Sequence, residues 1–176
     1  MNKDFANRMR QIIDQCLCDD YDDNYAYVCE AMDDYDCDIG DVEFLRDNIS
    51  YWDIDCKHLL DCIITDLRID RIIVPRILAM LEERKMTPKL IAKVIYDMLC
   101  KYVPKANYVI LTVLAELRWD DVGQKVIPYI LPEMLDKYAA PKYLDRALAA
   151  LYRDGVIGGE SDEPIILFRG VCSGIS

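Results

Sequence analysis

The chain has 176 residues, 53% of them apolar, with 32 acidic against 21 basic side chains and a net charge of −11. A chain of this size and apolar content buries roughly 70% of its unfolded surface and folds as one domain, or one with an appendage, which excludes a disordered acidic tail, a collagen and a staple-dependent mini-protein. Its acidity also argues against direct binding to nucleic acid, whose phosphates would repel it.

Phe5, Met9, Ile12, Ile13, Cys16 and Leu17 recur at helical spacing and predict an amphipathic helix over 5–18. Asp19, Asp20, Tyr21, Asp22, Asp23 and Asn24 read as a solvated turn rich in capping side chains. Tyr25, Val28, Cys29 and Met32 predict a second helix, followed by an Asp-rich loop over 33–41. Val42, Leu45 and Ile49 predict a short helix before Trp52.

From Asp55 the pattern becomes regular. Asp55 reads as a cap for a stripe of Leu59, Leu60, Ile63, Ile64 and Leu67, and Ile72, Ile73, Ile77, Leu78 and Leu81 form the next stripe. Thr87-Pro88 pairs a capping residue with a proline in the first helical turn, and Leu90 to Leu99 follow at helical spacing. Pro104 is expected to open a helix carrying Tyr108, Leu111, Leu114 and Leu117. Asp120 or Asp121 should cap another, running through Val122 to Leu135, in which Pro128 and Pro132 are expected to cause a kink or a split. Pro141 starts the last helix, with Leu144, Leu148 and Leu151, and Gly155 stops it. Beyond it, 156–176 reads as a loop, a short apolar strand or packing arm over Ile165–Phe168, and a frayed tail.

Helix pairs thus begin near residues 55, 88 and 121, a spacing of about 33 residues that stacking helix–turn–helix units share. This rhythm resembles HEAT-like and other α-solenoid modules, although the tetratricopeptide and ankyrin signature residues are missing. The expected fold is therefore all-α. It is either a helical bundle or a short α-solenoid of about three pairs over 55–155, with an acidic, Tyr-rich helical region over 1–54 and a short extended segment over 156–176, together one continuous domain.

The N-terminus carries no apolar leader, and the longest apolar stretch, near Val109 to Ala115, is too short to span a bilayer. The expectation is a cytoplasmic chain, in the host cytoplasm if viral, with no membrane partner and eight reduced cysteines.

Motifs for chemistry fail on inspection. Cys16, Cys18, Cys56 and His58 lack the spacing of a metal site. Asp34, Asp36 and Asp38 open like a calcium loop, but Ile39 and Leu45 stand where that loop needs glycine and glutamate. Gly170-Val171-Cys172-Ser173-Gly174 mimics a nucleophile elbow without room for the helix that must follow. No phosphate-cradling glycine loop is present. The expectation is no enzyme, no cofactor and no metal.

What remains is the placement of charge. Residues 1–60 hold 16 acids and 5 bases, a net of −11, whereas 61–176 hold 16 of each. Asymmetry of this kind marks an interaction surface more than a solubility requirement. The candidate partner-binding residues are Asp19, Asp20, Asp22, Asp23, Tyr25, Asp33, Asp34, Tyr35, Asp36, Asp38, Asp41 and Glu43. Carboxylates in such density resemble a phosphate backbone electrostatically, and tyrosines add contact area that also stacks on guanidinium groups. The expected partner is a basic, nucleic-acid-binding protein. The chain would inhibit it by occupying its nucleic-acid site, as a DNA mimic of anti-defence type does. The alternative is a HEAT-like adaptor that takes a peptide or helix on its 55–155 body. Self-association is left open.

Overall fold

A computed structural model describes residues 2–16, 21–48, 54–83, 85–105 and 108–158. Every regular element among them is helical: α1 (Lys3–Cys16), α2 (Tyr21–Asp34), α3 (Ile39–Asn48), α4 (Ile54–Arg68), α5 (Val74–Glu82), α6 (Pro88–Tyr102), α7 (Val109–Arg118), α8 (Asp121–Lys137) and α9 (Leu144–Arg153). A π-helical turn, Ile69–Ile73, joins α4 to α5. The all-α expectation holds. Among the described residues no helix is long and apolar enough to cross a membrane. The expected strand at Ile165–Phe168, together with Asp19, Asp20, Cys18, Trp52 and Cys172, lies outside the described residues.

The chain divides into two compact units, Met1–Arg68 and Ile69–Ser176. In the first, α1 packs on α2 and α3 on α4. Phe5, Met9 and Ile12 of α1, Val28 and Met32 of α2, Leu45 of α3, and Leu60, Ile63 and Leu67 of α4 enter one core. The sequence groups α4 with the C-terminal body. Its apolar stripe instead joins the core of the acidic unit, where Leu60, Ile63, Ile64 and Leu67 are buried with the apolar residues of α1 to α3.

The second unit is layered. Helix α5 packs on α6 and α7, α6 on α8, and α7 on α8 and α9. Odd-numbered helices thus lie in one layer and even-numbered ones in the other. Their starts keep register: Val74, Val109 and Leu144 are 35 residues apart in one layer, Pro88 and Asp121 are 33 apart in the other. This alternation is consistent with either a short α-solenoid or a helical bundle, in which neighbouring helices bury each other's apolar faces. The even helices start on the caps visible in sequence. The Thr87 hydroxyl accepts from the Leu90 N–H at 3.3 Å. The Asp120 carboxylate accepts from Val122 and Gly123 at 2.8 and 3.0 Å.

Several boundaries differ from expectation. Helix α2 runs on to Asp34 and α3 begins at Ile39, so the loop shrinks from 33–41 to four residues. Asp55 lies inside the first turn of α4 instead of capping it. No loop separates the stripes of α4 and α5. Pro75 would clash with the carbonyl of Arg71 four residues back, and the wider π turn upstream relieves that clash. Helix α7 begins at Val109, after Pro104, and α9 at Leu144, after Pro141. Helix α8 stays continuous through Pro128 and Pro132. An interior proline costs about 3 kcal/mol. Both prolines are exposed, while Val126, Ile127, Ile130, Leu131 and Met134 on the opposite side are fully buried, each contributing about 1.5–3 kcal/mol. The burial outweighs the cost.

Candidate partner-binding surface

By sequence the first unit carries 18 acids and 6 bases, a net of −12, and the second 14 acids and 15 bases, a net of +1. The structural division therefore sharpens the asymmetry, and it concentrates on α2. At about 100° per residue, Asp22, Asp33, Glu30, Asp23 and Asp34 fall in that order within an arc of about 120°. All five are exposed. Val28, Ala31 and Met32 occupy the opposite arc and are buried. Amphipathic spacing thus turns the acids outward by turning the apolar residues inward. The five carboxylates span 13 residues of helix, about 18 Å, in two groups, Asp22–Asp23 and Glu30–Asp33–Asp34, with an acid-free stretch of about 10 Å between them, a mean of ~4.5 Å per gap. One strand of duplex DNA carries one charge per about 3.4 Å. Tyr27, 39% exposed, sits at the edge of the same arc.

The C-terminal end of α2 holds its acids at a cost. Asp33 and Asp34 lie at the negative pole of the helix dipole, and its last turn carries no basic residue. Asp36 follows with φ 51°, the left-handed conformation that favours glycine. The Cys37 N–H donates to the Met32 carbonyl at 2.8 Å and the Asp36 N–H to that of Asp33 at 3.4 Å. This is a Schellman closure with aspartate in the glycine position. Helix α9 ends in the same way. Val156 donates to Leu151 at 2.9 Å and Gly155 to Tyr152 at 3.1 Å, and there the left-handed residue is Gly155, with φ 73°.

Other candidates serve the fold. Asp38 and Asp41 form a reciprocal capping box at the start of α3. The Asp41 N–H donates to Asp38 Oδ1 at 3.1 Å, and the Asp38 N–H to Asp41 Oδ2 at 3.0 Å. Glu43 is ion-paired with Arg68. Tyr35 is half-buried with its ring 6.3 Å from that of Phe5, and Tyr25 packs at the edge of the same core. Tyr21 donates its hydroxyl to Asp66, and burial followed by that carboxylate drives its pKa far up. Burial, then Asp41, Asp36 and Asp38, pushes the Cys37 thiol up. Glu30 and Tyr27, which belong to the acidic, Tyr-rich region but not to the candidate binding residues, also lie on the acidic arc, as their spacing from Asp23 and Asp34 dictates.

The features first read for chemistry do not converge. Cys56 is buried, whereas His58 is exposed one turn before Cys62, whose sulfur lies 3.9 Å from its Nε2. Asp34 ends a helix while Asp38 caps the next. Among the described residues no group of three or more His, Cys, Asp and Glu side chains is arranged to hold a metal ion. In comparisons with known proteins, no family model, no curated protein and no solved structure matches the chain.

Proposed function

We propose that the protein is a non-enzymatic inhibitor whose acidic surface, centred on α2, occupies the nucleic-acid-binding surface of a basic partner protein. The observation that carries this reading is the arc of five exposed carboxylates on one side of α2, in two groups over about 18 Å, with the buried apolar residues on the other side. The acids at the C-terminal end of α2 add support, since the helix dipole and the backbone of Asp36 both disfavour them. Residues kept against folding preference are expected where binding selects them. Charge steers the encounter, and Tyr27 supplies contact area that stacks on arginine.

The test is capture from a nuclease-treated lysate of the source cell, using the wild-type chain and a variant with Asp22, Asp23, Asp33 and Asp34 changed to Lys. The wild type should retain a nucleic-acid-binding protein, release it at moderate salt and block its binding to duplex. The variant, shown to be folded by circular dichroism, should do neither. A partner that resists salt and tolerates the reversal would overturn the proposal, because exposed charges are screened within about 8–10 Å.

A further inference from the structure

The second unit is nearly neutral as a whole, yet its charge is unevenly placed. Residues 84–105 contain six bases and a single acid, Asp97. On α6, Lys89, Lys93, Asp97 and Lys101 follow one another at four-residue intervals, so they form one ridge along the helix, and all four are exposed. Leu90 stands beside the ridge, 47% exposed. Between the ridge and α8 lies an open depression of about 560 Å³, walled by Leu90, Lys93, Tyr96 and Asp97 on one side and Tyr129 and Glu133 on the other. Helix α6 buries Ile91, Ile95 and Leu99 on its inner side, and among the described residues its outer side stays exposed.

We propose that this ridge docks the acidic face of α2 from a second copy of the chain. Charge complementarity selects that occupant. Lys89 to Lys101 spans 13 residues, about 18 Å, which is the axial length of the acidic row from Asp22 to Asp34. Laid antiparallel, Lys101, Lys93 and Lys89 fall level with Asp22–Asp23, Glu30 and Asp33–Asp34, and Asp97 falls level with the acid-free stretch between Asp23 and Glu30. The depression offers apolar walls to Tyr27, the aromatic side chain on the acidic arc. Each face is exposed on its own unit. The contact pairs different surfaces and is heterologous. It also covers the carboxylates assigned above to a foreign partner, so association holds the inhibitor in a masked store that a more basic surface must open. The association itself does not depend on that function and is tested on the purified chain alone.

The experiment is light scattering and sedimentation velocity on the full chain over a range of concentrations. The measured mass should rise above that of one chain at about 50 mM salt, and the association should weaken at least about tenfold by ~300 mM. Changing Lys89, Lys93 and Lys101 to Glu should abolish it, as should changing Asp22, Asp23, Glu30 and Asp34 to Lys. Mixing the two variants should restore a complex, because each keeps the face the other lost. The corresponding Lys→Gln variant, which keeps the fold with less perturbation, should weaken association in the same direction. A wild type that stays a single chain at low salt overturns the proposal, even if α6 binds a foreign acidic peptide. So does association indifferent to both reversals, or variants that fail to pair when mixed.

Discussion

Replacing Asp36 with Gly should make the protein more stable. The residue holds φ 51° in the closure of α2. A side chain in the left-handed region costs roughly 1–2 kcal/mol, less for aspartate than for most. Glycine removes that cost but returns about 0.5–1 kcal/mol in unfolded-state entropy. Removing a negative charge from the negative pole of α2 adds about 0.3 kcal/mol or more at low salt. The net gain is about 1 kcal/mol, a rise in midpoint of roughly 2–4 °C for a chain of this size. Asp36→Asn keeps a residue that tolerates the conformation, so it should show only the smaller charge component. Gly155→Ala places the reverse change in the same motif at the end of α9, where the space is open. It should lose about 1 kcal/mol through backbone strain alone. Thermal melts followed by circular dichroism, with partner capture alongside, read both sides: Asp36→Gly should melt later and bind less. A lower midpoint for Asp36→Gly would refute the strain argument, and unchanged binding would remove Asp36 from the surface.

Three further expectations follow from the packing. Gly123→Ala would put a methyl carbon 2.2 Å from the Leu117 carbonyl oxygen, a backbone atom that cannot step aside. The helix-propensity gain of about 1 kcal/mol is then overridden, and urea denaturation should show a loss of about 2 kcal/mol. Asp120→Ala removes the acceptor of two N–H groups at the start of α8 and should cost about 1–2 kcal/mol in the same assay. Burial raises the pKa of both Tyr21 and Tyr138 above the ordinary 10.0. The unfolded chain therefore releases these protons first. Their contribution is intact below about pH 10 and is lost as the pH climbs toward the folded values, so the melting midpoint should fall in that range and less steeply in Tyr138→Phe.

Much of the fold is legible in the sequence where one local signal suffices. Thr87-Pro88 and Asp120 mark the starts of α6 and α8 because a cap is a contact between residues two or three apart. The stripes of α1, α4 and α6 are legible because burial imposes a 3.6-residue period. The end of α2 is not, since Asp36 stands where a glycine would have announced the stop and the acids before it disfavour a helix end. The join of α4 to α5 is hidden because a π turn has no residue signature, and Pro75 suggests a boundary where the backbone merely widens. The allegiance of α4 to the first unit is hidden as well, because an apolar stripe does not say which neighbour it meets. The same holds for the surface. Acid content is visible directly, but sorting Asp33 and Asp34 from the capping pair Asp38 and Asp41 requires knowing where the helices stop. The basic ridge of α6 escapes a count over the whole second unit, which is nearly neutral.

Tyr138 ends α8 and Val103 ends α6, and the tyrosine hydroxyl donates to the Val103 carbonyl at 2.7 Å from a buried position. One phenol thus closes two termini. Helix ends ordinarily fray independently within their last turn, but here neither can open without breaking the bond that seals the other. Amide protons near Leu99–Val103 and Met134–Tyr138 should therefore exchange with deuterium together, as one cooperative unit of the even-numbered layer. Tyr138→Phe should split them into two independently exchanging ends.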